Sequence, residues 1–206
     1  MHNPNNHNIS MKRQAKKISS TQGSIRIIAG QWRGRKLPVL DVEGLRPTTD
    51  RTKETLFNWL APYIVGRHCL DAFAGSGGLG FEALSRHAAS SVFVELDKTA
   101  SQTIRQNCRT LALSEPQAVV LNKNIHDVLP TFKQQFDLIF ADPPFNQGLI
   151  EPLLSKIAEY DLLAKGGLIY IETELANAAY PLPADWQLVK QRQTKQFCYR
   201  LFVREE

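Results

Sequence analysis

One run of small residues constrains this chain more than any other feature. In Leu70-Asp71-Ala72-Phe73-Ala74-Gly75-Ser76-Gly77-Gly78-Leu79-Gly80, an apolar strand pattern gives way to glycines and then to a helix pattern. Gly75, Gly77 and Gly80 have the spacing G-x-G-x-x-G, and Glu95 follows Gly75 by 20 residues. Glycines at that spacing let the backbone turn out of a strand and approach a ligand. The helix that follows offers N–H groups without intrahelical partners.

The surrounding pattern fits such a loop. Strand-like segments at Cys69–Phe73, Ser91–Glu95, Ala118–Asn122, Asp137–Asp142 and Leu168–Glu172 alternate with helix-like ones. The helices are expected at Leu79–His87, Lys98–Leu113, near Asp127–Lys133 and at Leu149–Tyr160. Alternation of this kind implies an α/β fold with a parallel sheet covered by helices on both faces. Gln187–Gln193 and Phe197–Arg204 have no helix between them, so they should close the sheet as an antiparallel edge hairpin. Upstream, Ile25–Gly30 and Arg35–Leu40 flank the turn Gln31–Gly34 and form a hairpin of their own. A helix should begin at Thr49 or Asp50 and carry the apolar stripe Leu56, Phe57 and Leu60.

Composition narrows the class. No apolar run reaches the ~18–20 residues of a membrane span. Met1–Gly23 is polar and lacks the apolar stretch of a secretory signal, which points to the cytoplasm and away from membranes. Cys69, Cys108 and Cys198 are odd in number and widely spaced, so core packing is expected rather than a disulfide framework. The five histidines are scattered, and no metal is expected. Charge is uneven. Residues 1–60 hold 11 Lys and Arg against 4 Asp and Glu, whereas the remainder holds 14 against 16. Such an asymmetry suits a polyanion, although a basic tail also serves solubility. Arg26, Arg33, Arg35 and Lys36 beside Trp32 on the first hairpin are the candidate nucleic-acid contacts.

The glycine loop admits two ligands by pattern, a nicotinamide dinucleotide or S-adenosylmethionine. Chemistry separates them. Asp71 at the mouth of the loop would repel a pyrophosphate, whereas it favours the cationic methionyl end of S-adenosylmethionine. Glu95 serves the ribose hydroxyls of either. Asp142-Pro143-Pro144-Phe145 ends the fourth strand of the alternating region, because proline cannot donate to a ladder. Ligands of open α/β sheets bind at the carboxyl ends of strands, so Asp142 belongs to the same rim. Its carboxylate and the Pro143 carbonyl can each accept an N–H of an exocyclic nucleobase amine, and Phe145 can stack on the ring. A guanine or an adenine amine would serve equally. An oxidoreductase, or a non-catalytic RNA-binding protein on the same fold, is the remaining alternative; the proline turn disfavours the first and the intact acids the second.

At this point the chain resembles a known family. Asp71-x-Phe73-Ala74-Gly75-Ser76-Gly77, the Asp142–Phe145 turn, Leu45-Arg46-Pro47-Thr48-Thr49-Asp50-Arg51-x-x-Glu54-Thr55-Leu56-Phe57 and the opening Ile25–Lys36 are similar to bacterial 16S ribosomal RNA guanine-N2 methyltransferases of the RsmD type. The resemblance runs from about Ser24 to the C-terminus. It implies a Rossmann-like class I S-adenosylmethionine-dependent methyltransferase fold: a mostly parallel seven-stranded sheet, helices on both faces, a C-terminal antiparallel hairpin and an N-terminal β-hairpin extension. The expected organisation is a disordered basic arm over 1–23, the hairpin extension over 24–44 and the methyltransferase domain over 45–206. S-adenosylmethionine is the implied cofactor, 16S rRNA or the small ribosomal subunit the implied partner, and a monomer is expected. Carried over, Asp71, Phe73, Gly75, Gly77, Glu95 and Asn124 would bind the donor, with Asn124 by the adenine. Asp142, Pro143 and Phe145 would hold the target base. The polar Thr48–Arg51 segment, Thr49 and Arg51 included, is expected over the donor pocket, where free N–H groups of the helix start and Arg51 receive the methionyl carboxylate.

Overall fold

The computed structural model describes residues 22–40 and 50–206. The Thr49 cap, the Leu45–Thr48 motif and most of the expected arm lie outside the described residues. The arm's last two residues, Gln22 and Gly23, instead open the first strand.

Strands β1 (Gln22–Arg26) and β2 (Lys36–Leu40) form an antiparallel hairpin. Helix α1 (Asp50–Leu60) follows, and then the alternating region. It comprises β3 (His68–Asp71), α2 (Gly78–Ser85), β4 (Ser90–Val94), α3 (Lys98–Thr110), β5 (Ala118–Leu121), α4 (Ile125–Val128), β6 (Phe136–Ala141), α5 (Ile150–Glu159) and β7 (Leu163–Glu174). Strands β8 (Trp186–Gln193) and β9 (Phe197–Arg204) end the chain. The sheet has seven strands in the order β5-β4-β3-β6-β7-β9-β8. Strands β3 to β7 are parallel, and β9 is antiparallel to both its neighbours. The chain winds outward from β3 to β5, crosses back to β6, and so places its switch point between β3 and β6.

The two-residue period of the strands divides the core. Leu70, Val92, Ile139 and Ile169 face α4 and α5. Cys69, Leu138, Phe140 and Tyr170 face α1 and α2. Phe93 on this second face packs with α3 and with Ile25, Ile27, Leu37 and Val39 of the hairpin. The hairpin is therefore built into the core rather than appended to it. Its anchor is Glu82 of α2, only 1% exposed, whose two oxygens accept the N–H groups of Ile28 at 2.8 Å and Ala29 at 3.0 Å. Arg86 donates to the same carboxylate at 2.8 Å.

Three elements differ from the sequence reading. β1 runs Gln22–Arg26 rather than Ile25–Gly30. α4 begins at Ile125 because Asn124 caps it, accepting the His126 N–H at 2.9 Å, and a 3-10 turn over Leu129–Thr131 continues it. β7 begins five residues earlier than expected, since Phe136 pairs with Leu163 and a register shift absorbs the Gly166-Gly167 pair. All three cysteines are buried. Burial pushes the Cys69 thiol well up and the Cys108 thiol up to about 11. No helix among the described residues is long and apolar enough to cross a membrane.

Candidate active site

A cavity of about 690 Å³ opens at the carboxyl ends of β3, β4 and β6, where a switch point places ligands. Its size falls within the ~300–1,000 Å³ usual for small-molecule sites. Asp71, Gly75, Glu95, Asn124, Asp142 and Phe145 all line it, as do Phe73 and Pro143. Residues separated by up to 74 positions are thus gathered at one rim.

The glycines have distinct tasks. Gly75 and Gly77 have φ of +52° and +78°, left-handed values that a side chain would strain. Gly80 serves packing instead: a Cβ there would lie 2.2 Å from the Phe93 ring. Gly77 offers α2 no side-chain cap. Asp71 supplies one from β3, its Oδ2 accepting the Gly80 N–H at 3.0 Å. Asp71 is 2% exposed. Burial pushes its carboxyl up to about 7; the Gly80 N–H opposes the rise, and the charges of Asp142 and Glu95 add to it.

Glu95 is held from both sides. Its Oε2 accepts the Gly75 N–H at 2.6 Å and its Oε1 the Asp97 N–H at 2.7 Å. The glycine loop and the end of β4 are thereby clamped together. Burial raises the Glu95 carboxyl, and these N–H groups counter the rise.

On the opposite side, Asp142 is half-buried and Pro143 buried. Phe145 stacks on Phe197 of β9, ring centroids 4.7 Å apart and planes 29° from parallel. One face of Phe145 is therefore occupied within the chain. The turn is tied to β7 by a hydrogen bond from the Asn146 N–H to Glu174.

Some expected residues lie elsewhere. Arg51 does not line this cavity; it lines a smaller neighbouring one. Trp32 is half-buried and packs against the hairpin's core cluster, its backbone N–H donating to Ser85 Oγ at 3.1 Å. Arg26, Arg33, Arg35 and Lys36 are exposed. Other residues were not anticipated. Lys53 lines the cavity although only 2% exposed; its Nζ donates to the Arg26 carbonyl at 2.7 Å and pairs with Asp50 at 3.3 Å. The signal was its place on the apolar stripe of α1, three and four residues before Leu56 and Phe57. Inside β7 and outside the cavity lining, Glu172, 6% exposed, accepts the Tyr170 hydroxyl at 3.0 Å.

The lining fits S-adenosylmethionine better than a dinucleotide. Its strand-end groups Asp71, Glu95 and Asp142 are carboxylates, which suit a methionyl cation and ribose hydroxyls and would oppose a pyrophosphate. Bound here, S-adenosylmethionine supplies a methyl group on a sulfonium. Fold and site define a class I S-adenosylmethionine-dependent methyltransferase. The model of the family described as conserved hypothetical protein 95 matches residues 25–203. The chain belongs to this family, which bears out the RsmD-type resemblance. It is 51% identical over 191 residues to ribosomal RNA small subunit methyltransferase D of Haemophilus influenzae, a match covering 91% of this chain and 98% of that protein. It is 49% identical over 186 residues to the Escherichia coli protein of that name, covering 90% and 93%. The solved structure of yhhF from Escherichia coli superposes with a TM-score of 0.80 at 46% identity, covering 89% of this chain and 99% of that one.

Proposed function

We propose that the chain transfers the methyl group of S-adenosylmethionine to the exocyclic N2 amine of a guanine in small-subunit ribosomal RNA. The observation that carries the reading is the Asp142–Phe145 turn across the cavity from Glu95 and the glycine loop. The names of the two relatives support ribosomal RNA as substrate. The opening Ile25–Lys36 and the Arg46–Phe57 segment, through the family they resemble, favour guanine.

In this reading the Asp142 carboxylate and the Pro143 carbonyl accept the two amine N–H bonds. That geometry turns the nitrogen lone pair out of the ring toward the methyl carbon. The N–C bond forms as the S–C bond breaks, and the product amine loses one proton, for which Asp142 and water are the available acceptors. Positioning is the chain's main contribution: reacting atoms held about 3–3.5 Å apart and in line account for ~7–11 kcal/mol of the barrier. A stacked guanine must first be extruded, at a cost of a few kcal/mol. Asp71, Glu95 and Asn124 hold the donor. Arg26, Arg33, Arg35 and Lys36 contribute phosphate contacts without a role in the chemistry, and Trp32 anchors the hairpin that carries them.

Nucleoside mass spectrometry after incubating 16S rRNA or small subunits with the chain and methyl-labelled donor tests the reading. Labelled N2-methylguanosine supports it. Labelled N6-methyladenosine in its place would overturn it in favour of an adenine amine, which the same turn could hold.

A further inference from the structure

A second cavity of about 240 Å³ lies beside the first and shares two walls with it. Helix α1 is one wall: Lys53 lines the first cavity, whereas Arg51, Thr55 and Trp59 line the second. The stacked aromatic pair is the other: Phe145 lines the first cavity and Phe197 the second. Arg192 of β8 reaches across and donates from Nη1 to Thr55 Oγ1 at 2.8 Å. Thr55 in turn donates to the Arg51 carbonyl at 2.9 Å. The guanidinium of Arg192 is thus fixed by a neutral hydroxyl, and among the described residues the lining holds two arginines and no carboxylate.

That combination has a specific chemistry. Guanidinium forks match phosphate oxygens, and the planar group also stacks on bases. Trp59 is half-buried and Phe197 is half-buried, so each presents part of a ring to the surface. Aromatic rings beside cations form a platform for single-stranded nucleotides. The volume lies below that of sites for drug-sized ligands, which suits one nucleotide unit.

We propose that this second cavity holds a nucleotide next to the methylated base, with Arg51 and Arg192 on its phosphate and Trp59 and Phe197 against its base. The proposal rests on the reading of the chain as an enzyme acting on RNA. It goes beyond that reading by fixing where the strand leaves the acceptor turn: over the Phe145–Phe197 partition. Arg51 therefore belongs to the RNA rather than to the donor.

The test uses the full chain, 16S rRNA and the variants Arg51→Ala, Arg192→Ala, their combination and Arg192→Lys. Each alanine variant should weaken RNA binding about ten-fold, the scale of one lost charged hydrogen bond. The slope of log affinity against log salt should flatten by about 0.7 for each guanidinium removed. Arg192→Lys should restore the slope but not the full affinity, since an ammonium lacks the fork. The loss should fall on the RNA KM rather than on kcat, and the calorimetric affinity for S-adenosylhomocysteine should not move. Arg51 is exposed, so Arg51→Ala carries the test even if Arg192→Ala perturbs folding. An unchanged affinity and salt slope in Arg51→Ala and in the double variant would overturn the proposal. A loss confined to donor affinity would overturn it too. Failure of the wild-type chain to form N2-methylguanosine would refute the proposed activity alone, because RNA binding by the variants still decides the cavity.

Discussion

Asp71→Asn should stabilise the fold and damage donor binding, and both effects should depend on pH. Burial lifts the Asp71 carboxyl from 3.8 to about 7. Between those values the folded chain keeps a proton that the unfolded chain has released. The favourable contribution of this group is therefore fully present below about pH 4 and is lost as pH rises to about 7. About three pK units at ~1.36 kcal/mol each amount to about 4 kcal/mol at pH 8. Asparagine keeps an oxygen for the Gly80 N–H and never ionises. The variant should gain little over wild type near pH 4 and up to about 4 kcal/mol at pH 8, measured from urea midpoints across that range. Donor binding should respond in the opposite sense. The wild-type affinity for S-adenosylmethionine should rise as Asp71 ionises through about pH 7. In the variant it should be pH-independent for this group and about ten-fold weaker at pH 8, the scale of a lost charged hydrogen bond. A stability gap equal at pH 5 and pH 8 would refute the burial argument. An unaltered donor affinity would show that Asp71 acts only as the cap of α2.

Three other variants probe the remaining walls. Asp142→Ala should abolish methyl transfer while calorimetric donor affinity stays near wild type, because in the proposed reading Asp142 acts on the acceptor amine; a comparable loss of donor affinity would misplace it. Glu95→Ala should weaken S-adenosylmethionine and S-adenosylhomocysteine alike, by ~1.5–3 kcal/mol, since the two share a ribose; equal dissociation constants in variant and wild type would remove Glu95 from the site. Glu82→Ala strands the Ile28 and Ala29 N–H groups and the Arg86 guanidinium, so chemical unfolding should show a loss of ~3–5 kcal/mol, and a loss under 1 kcal/mol would mean that the hairpin is held by its apolar side chains alone.

The sheet and the rim were legible in the sequence because each carries a local signature. Buried strands read as apolar runs, and Gly75, Glu95 and Asp142 stand where such runs stop. What failed was phase and tertiary context. A cation beside a helix start points Arg51 at the donor, whereas the structure has it lining the neighbouring cavity. Two residues of helix are about 200° of rotation, so Arg51 and Lys53 face opposite ways. The stripe through Leu56, Phe57 and Leu60 already put Lys53 on the inner side. The apolar run alone marks β7 only from Leu168, whereas pairing of Leu163 with Phe136 carries the strand back through Gly166-Gly167. The Phe145–Phe197 stack joins residues 52 positions apart and leaves no local trace. The same holds for Glu82, which reads as a surface acid until the hairpin covers it.

The carboxylates of the site form a row. In spatial order across β4, β3 and β6 stand Glu95, Asp71 and Asp142, each at or just beyond the end of its strand, and neighbouring strands lie only ~4.8 Å apart. Mutual repulsion contributes to the raised Asp71 carboxyl. A row of this sign suits a sulfonium donor and an amine that becomes positive as the bond forms. It opposes phosphates equally well. An RNA strand can therefore offer this rim a neutral base but not its backbone, and the base must be separated from the strand before it is methylated. Cations that hold the strand are then required beside the rim rather than in it. Arg51 and Arg192 stand there, one partition away from Asp142. In the proposed reading, the acidic interior and the basic flank are complementary parts of one selection rule: the chain admits a base only when its phosphates are held outside.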